Sequence, residues 1–334
     1  MTVTISLADV ADQQRWNNYV AASPQGTFFH QLEVLDVLAT HSQTDLTLLI
    51  GKKGNEVVGL LPMFVTSKFG INVAFSPPPR LKVPYLGSLL LNSDDLRQRT
   101  FEDRHEEFVE GCFDYLHDTV RPRYFNIRST VGYPDVRPYL WQDFEILPRY
   151  TYQVDLTPGI EELFAQFSSD ARYNIRKATN QGISVEIGGV EAIKRIIAQV
   201  SERHHAQGKS FPVNASLVTD LYNRLPAGSV LPYEAYLNGT YVGGNIVVSF
   251  GNTVCAWFGG VAPEVDVPVN ECLDWRIITD ATNDGMELYD FLGANVRRIN
   301  RYKAKFNPEL RPYFNIERAS PEMAVVAGVY KLLS

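Results

Sequence analysis

The feature that most restricts the fold is an order of elements that occurs twice. The first half reads as helical patterns around Asp12–Ala22 and Gln31–Thr40. Two β-rich apolar runs follow, LTLLIG and VVGLLPMFV, separated by the turn cluster KKGNE. NVAFS and YLGSLLL then flank a proline-rich loop. Phe101, His105, Phe108, Cys112 and Tyr115 recur at helical spacing. YFNIRS, a short helix at PYLWQDF and the alternating strand YTYQVDL complete this half. The second half repeats the order. Phe164, Phe167, Ala171, Ile175 and Ala178 form one helical stripe that stops at Gly182. After the strand ISVEI, Val190, Ile193, Ile197 and Val200 mark another helix. YEAYLNGTYVGGNIVVSF is a hairpin about Asn238-Gly239, a dipeptide that accepts the positive φ of a two-residue turn. The strand TVCAWFGGV, a helix carrying Leu273, Ile277 and Ala281, the strand LYDFLGA, the short helix RRINRYKAKF and a last strand RPYFNIE close it. This is a structural duplication without an evident sequence repeat. The expected domains are residues 1–150 together with a C-terminal helix over 317–334, and residues 151–316.

Length and charge agree with two soluble domains. The chain has 334 residues, 45% of them hydrophobic, and a net charge of −7. That balance supplies two cores and argues against binding DNA. Cys112, Cys255 and Cys272 each lie in an apolar run, as buried free thiols of a reducing compartment do. The N-terminus lacks a basic start and a long apolar core, and no stretch is apolar enough to form a transmembrane segment, so the expected location is cytoplasmic. No Cys/His metal spacing, phosphate-binding glycine loop or Ser-His-Asp signature occurs, and no metal is expected.

Against the acidic background, one basic run follows the apolar LYDFLG: Arg297, Arg298, Arg301, Lys303 and Lys305, interleaved with Tyr302 and Phe306. Lys303 and Lys305 are two apart, so on a helix only one can face a cleft. Such an ammonium stabilises an oxyanion or a phosphate, whereas the alternative is a solvated helix face. Asp290, within the strand, either orients Lys303 or accepts a proton, or is an internal hydrogen-bonded carboxylate. Arg172 and Arg176, four apart with Lys177 beside them, could clamp a phosphate or carboxylate, or pair with surface acids. His204 continues an apolar stripe, as a core or cleft-edge histidine or else a general base, and points about 100° from His205, which excludes a paired metal site. Lys209, in the loop beyond, is a cleft candidate. Tyr85 either lines the groove between the domains or packs. Asn270 is expected to cap the helix after DVPVN. That loop has no glycine and carries Asp266, which opposes a pyrophosphate.

The phrases RYNIRKATNQGISVEI, YDFLGA and YKAKFNPE resemble the Fem-type nonribosomal peptidyltransferases and their GNAT acyltransferase relatives. Tyr302 stands where that family usually has Phe. The resemblance implies an α/β (α+β) chain of tandem duplicated GNAT-like domains, each a mixed central sheet flanked by helices, without the long helical arm that some members carry. It implies that Lys303 sits at the mouth of the second domain and supports transfer to an amine. The implied activity is acyl or aminoacyl transfer from a tRNA ester or thioester to a cell-envelope or phosphate-bearing precursor. Aminoacyl-tRNA or acyl-CoA would be the co-substrate, with no tightly bound cofactor. The acceptor would be an anionic small molecule or a glycan or lipid precursor. The rival readings are an acyl-CoA-dependent N-acyltransferase of polysaccharide or lipid biosynthesis, and a GNAT pair that binds an anionic ligand without chemistry.

Overall fold

Local chemistry starts the elements. Asp9 accepts from the Asp12 amide at 2.8 Å while Asp12 accepts from the Asp9 amide at 3.3 Å, a reciprocal cap on the helix Val10–Ala22. Asn238 and Gly239 adopt the positive φ values of 50° and 82° that the second hairpin needs. The structure, a computed structural model, describes residues 2–323 other than Phe69, Asp94 and Pro263. Residues 324–334 of the expected C-terminal helix lie outside the described residues.

The chain divides into two compact units, Met1–Arg149 with Pro312–Ser334, and Tyr150–Arg311. The first contains β1 (Thr4–Leu7), α1 (Val10–Ala22), α2 (Leu32–Ser42), β2 (Asp45–Lys53), β3 (Glu56–Lys68), β4 (Ile71–Ser76), β5 (Leu89–Leu90), α3 (Gln98–Thr119), β6 (Tyr124–Arg128) and α4 (Arg137–Trp141). β7 (Glu145–Asp155) leads into the second unit, with α5 (Ile160–Gln166), α6 (Ser169–Asn180), β8 (Ile183–Ile187), α7 (Val190–Ala206), α8 (Ala215–Arg224), β9 (Val230–Leu237), β10 (Thr240–Phe250), β11 (Thr253–Val261), α9 (Val269–Asn283), β12 (Leu288–Asp290) and α10 (Arg297–Lys303). β13 (Glu309–Ala319) returns to the first.

Each unit uses the same pairing scheme. In the first, β1 to β4 are successive antiparallel neighbours, β4 and β6 run parallel, and Asn315–Ala319 of β13 lies antiparallel to β6. In the second, β8 to β11 are antiparallel neighbours, β11 and β12 run parallel, and Gln153–Asp155 of β7 lies antiparallel to β12. The closing strands are therefore exchanged relative to the sequence expectation. YTYQVDL was expected to finish the first half and RPYFNIE the second, but each completes the other sheet. Alternation fixes which face of a strand is buried and says nothing about its partner. Residues 317–319, expected in a terminal helix, are the end of β13.

The helices cover these sheets with the stripes read from the sequence. Phe108, Cys112, Phe113 and Leu116 of α3 pack with Phe125, Ile127 and Phe144 in the first unit. Ala171, Ile175 and Ala178 of α6 meet Leu273, Ile277 and Ala281 of α9 in the second. All three cysteines are free and buried.

Candidate functional site

β11 and β12 pair at only three positions, Thr253–Cys255 against Leu288–Asp290. β12 then ends, while β11 continues to Val261 along β10. Beyond Cys255, the edge of β11 that faced β12 has no strand beside it among the described residues. A bulge at Trp257, where Ala256 and Phe258 pair with consecutive residues of β10, falls at the same place.

The chain turns back sharply where β12 ends. The Asp290 carboxylate accepts from Thr151 Oγ1 at 2.7 Å, Gln153 Nε2 at 2.8 Å and the Leu292 amide at 2.8 Å. Thr151 Oγ1 in turn accepts from the Gly293 amide at 2.8 Å. Leu292 and Gly293 both have positive φ, 49° and 98°, so successive carbonyls of this turn converge. Lys303 Nζ donates to the carbonyls of Phe291 at 2.8 Å, Leu292 at 3.4 Å and Gly293 at 2.7 Å. Each of its three protons has an acceptor. Burial pulls the ammonium pKa down, opposed by the nearby charges of Asp274 and Asp290. Lys303 Nζ thus meets the main-chain oxygens of this turn, and Asp290 is a buried, hydrogen-bonded carboxylate that holds the same turn.

The acid beside them is one that the sequence reading missed. Asp274, on α9 and only 5% exposed, accepts from the hydroxyls of Tyr289 at 2.8 Å and of Tyr302, and from Asn245 Nδ2 at 3.5 Å. Desolvation raises its pKa to about 6 against the pull of both hydroxyls and of Lys303. Both phenols are pushed up by burial and then by Asp274 itself. Tyr302 is half-buried as a residue, with its hydroxyl turned to the hidden carboxylate. A carboxylate titrating near neutrality behind a phenol can receive a proton relayed through it. One sequence signal could have found it: Asp274 precedes Ile277 and Ile278 by three and four residues, an acid on the apolar stripe of α9.

The remaining candidates scatter. Lys305 pairs with Glu271 at 3.1 Å, and Glu271 also accepts from Asn174 at 2.8 Å. Arg172 donates to the Ala165 carbonyl at 3.1 Å, whereas Arg176 lies over the Phe164 ring at 5.1 Å. These arginines engage different partners and form no two-cation clamp. Arg176 lines an open groove of about 620 Å³ with Phe164, Ile175 and Trp275, and Lys177 is half-buried on the same helix. His204 Nδ1 donates to the Val200 carbonyl at 2.8 Å, its ring 4.9 Å from Phe211. Lys209 is exposed. Asn270 does not cap α9: it is an exposed second residue, and the capping position is Pro268, with no side-chain bond. The sequence placed the cap two residues late because proline offers no acceptor side chain to signal it. Tyr85, in the first unit, is buried edge-on against Tyr313 at 5.2 Å. No cluster suited to a metal ion occurs among the described residues, and none of their helices is long and apolar enough to cross a membrane.

Residues 165–304, from within α5 to just past α10, match a family described as an acetyltransferase (GNAT) domain. The fold is GNAT-like and duplicated. Among solved structures, FemX superposes with a TM-score of 0.70 at 12% identity, over 90% of this chain and 95% of that one. The C-terminal domain of a putative lysylphosphatidylglycerol synthetase from Agrobacterium fabrum gives 0.60 at 12% identity, over 97% and 96%. A tandem GNAT protein from the clavulanic acid biosynthesis pathway gives 0.55 at 11% identity, over 94% and 97%. A comparison with curated protein sequences gives no match. The resemblance to Fem-type proteins read from RYNIRKATNQG, YDFLGA and YKAKFNPE is thus carried by the fold, and the GNAT match supports acyl transfer as the class of chemistry.

Proposed function

We propose that the second unit transfers an acyl or aminoacyl group from an activated ester or thioester to an amine. One observation carries this reading: Asp274, with its pKa raised to about 6, is bonded to half-buried Tyr302, the neighbour of Lys303, where β11 and β12 part. The acceptor amine attacks the donor carbonyl, and its proton passes to the Tyr302 oxygen as the Tyr302 proton moves to Asp274. The developing oxyanion takes the place of the longest Lys303 contact, that to the Leu292 carbonyl at 3.4 Å. The C–O or C–S bond then breaks, and the leaving oxygen or sulfur recovers a proton. Positioning supplies the rest of the acceleration.

The donor in this reading is an aminoacyl-tRNA, used in the cytoplasm as a co-substrate rather than a resident cofactor. The acceptor is a phosphate-bearing envelope precursor, lipid or glycan. The neighbour named as a putative lysylphosphatidylglycerol synthetase supports an aminoacyl cargo and a lipid acceptor. A second reading, an acyl-CoA donor, draws on the GNAT match and on α9, whose first turn has no side-chain cap competing for its amides. The test is turnover of labelled aminoacyl-tRNA and labelled acetyl-CoA with amine acceptors, for the native chain and for Asp274→Asn. Loss of about a hundredfold or more in the variant, with its circular dichroism preserved, supports the relay. Full turnover by Asp274→Asn removes it.

A further inference from the structure

The cations of α6 lie on one face. At about 100° per residue, Arg172, Arg176, Tyr173 and Lys177 follow one another around an arc of about 140°, opposite the buried stripe of Ala171, Ile175 and Ala178. Asp170, in the first turn, is the one acid of the helix, and no other Asp or Glu occurs before Glu186. None of the three cations has an ion pair among the described residues. Arg172 donates to the Ala165 carbonyl, and Arg176 lies over the Phe164 ring. The Tyr173 ring between them is 64% exposed. Both borders of this face lead to features of the same unit. On the Arg176 side is the groove of about 620 Å³ that Phe164, Trp275, Thr179 and Asn180 also line. On the Lys177 side, Asn174 donates to Glu271 at 2.8 Å, and the Glu271 charge acts on both Asp274 and Tyr302. The face therefore borders the proton relay.

We propose that this face binds single-stranded RNA, with an unpaired base stacked on Tyr173 and backbone phosphates on Arg172, Arg176 and Lys177. An exposed aromatic ring flanked by unpaired cations is the combination that holds a strand, since every base has a stacking face and every linkage a charge. Duplex RNA hides its bases from such a ring. A bilayer surface fits less well, because the aliphatic side chains of α6 are the buried ones. A compact pyrophosphate fits less well too, because Arg172 and Arg176 engage different partners and do not converge. The inference rests on the aminoacyl-tRNA reading of the donor and adds where that donor lies. The unpaired 3′ end crosses α6, and the ester it carries reaches Tyr302 past Asn174 and Glu271.

The experiment is fluorescence anisotropy of the full chain with a short labelled RNA strand, and with the same strand in a duplex, across a salt series. Uncharged transfer RNA and coenzyme A serve as competitors. The expected result is that the strand binds more tightly than the duplex, that transfer RNA displaces it and that coenzyme A does not. Tyr173→Ala weakens binding about tenfold, the scale of one lost stacking contact, and Tyr173→Phe retains it. Arg176→Ala/Lys177→Ala lowers the slope of log affinity against log salt by about 1.4, as two lost phosphate contacts on a single strand require. Circular dichroism checks that each variant folds. Absent binding, equal affinity for strand and duplex, or an unchanged Tyr173→Ala overturns the proposal. Displacement by coenzyme A as effective as that by transfer RNA overturns it in favour of a coenzyme site. Turnover separates the surface from the donor reading. Aminoacyl-tRNA consumed equally by Tyr173→Ala and the native chain overturns the surface and leaves the donor. Strand binding that Tyr173→Ala weakens, without any aminoacyl-tRNA turnover, supports the surface and removes the donor.

Discussion

The Lys303 ammonium donates to the Gly293 carbonyl at 2.7 Å, closing a ten-residue loop whose other end is pinned by Asp290. The sequence alone left Lys303 as a cleft-facing ammonium or part of a solvated helix face, and neither holds a core together. The bonds to three carbonyls change that expectation. Lys303→Met leaves those oxygens without their donor and is expected to cost about 3 kcal/mol, the scale of a charge-assisted interaction lost from a partly buried site. Urea unfolding is the check. An unchanged midpoint with reduced turnover would restore the purely catalytic role.

Asp290 makes the same argument from the other side. Its carboxylate accepts from Thr151, Gln153 and the Leu292 amide in a site only 1% exposed. Asp290→Ala strands three donors and is expected to destabilise the second unit by about 3–5 kcal/mol. Asp290→Asn keeps one acceptor oxygen and costs less. Equal stability of the two variants, measured by denaturant titration, contradicts this account.

These residues also show which parts of the molecule were legible in the sequence. The stripes on α3, α6 and α9 and the Asn238-Gly239 turn were readable because burial at a fixed period and positive φ each leave a local signature. The cluster after LYDFLG was readable as charge, but its division was not. Lys303 turns inward because the carbonyls of the turn converge on it, and that convergence depends on the backbone conformation of Leu292 and Gly293. Asp274 was hidden for a related reason: a lone acid on an apolar stripe gains meaning only when Tyr289 and Tyr302 arrive from two other elements. The exchange of β7 and β13 is a choice of partner, which alternation within a strand does not encode.

The raised pKa of Asp274 gives its contribution a definite sign. The folded state holds this proton up to about pH 6, whereas the unfolded chain releases it near 3.8. Between those values the native state binds more protons, so this group favours folding most at low pH, and its contribution is lost as pH rises through about 6. A rise of that size corresponds to roughly 3 kcal/mol. Asp274→Asn, which cannot ionise, is therefore expected to be more stable than the native chain at pH 8 and to lose that advantage below pH 4. Thermal midpoints at the two pH values test this, and a pH-independent difference counts against a titrating Asp274. Turnover by the native chain should rise as pH climbs through about 6.

In the first unit the sign is opposite. Burial lowers the pKa of His30 to about 3, and that of His105 to about 4. His30 is held between Thr27 Oγ1 at 2.8 Å and the Gly87 carbonyl, and His105 Nε2 meets the Tyr133 hydroxyl at 2.8 Å. The unfolded chain takes up these protons near 6.5, so the stability is present above that value and is lost as pH falls toward 4 and 3. Moving from pH 7 to pH 5 is expected to remove about 2 kcal/mol per histidine. Hydrogen exchange of α3 amides should report it, and His105→Gln should flatten the response. Exchange rates that rise equally in His105→Gln and the native chain would place the acid sensitivity elsewhere.

The Lys305–Glu271 pair separates packing from charge. Glu271 is 6% exposed and accepts from both Lys305 and Asn174, so removing either partner leaves a buried carboxylate partly unsatisfied. Lys305→Ala is expected to cost about 1–3 kcal/mol, and Glu271→Gln less, because the amide oxygen still accepts from Asn174. In the double variant, Glu271→Gln with Lys305→Ala, no buried charge remains to be compensated. Its destabilisation should therefore fall below the sum of the single effects by about 1 kcal/mol. Strict additivity would mean that Lys305 is held by something other than Glu271. Turnover need not follow stability in this series, because the Glu271 charge helps raise the pKa values of Asp274 and Tyr302, and Glu271→Gln should shift the rise of turnover to lower pH.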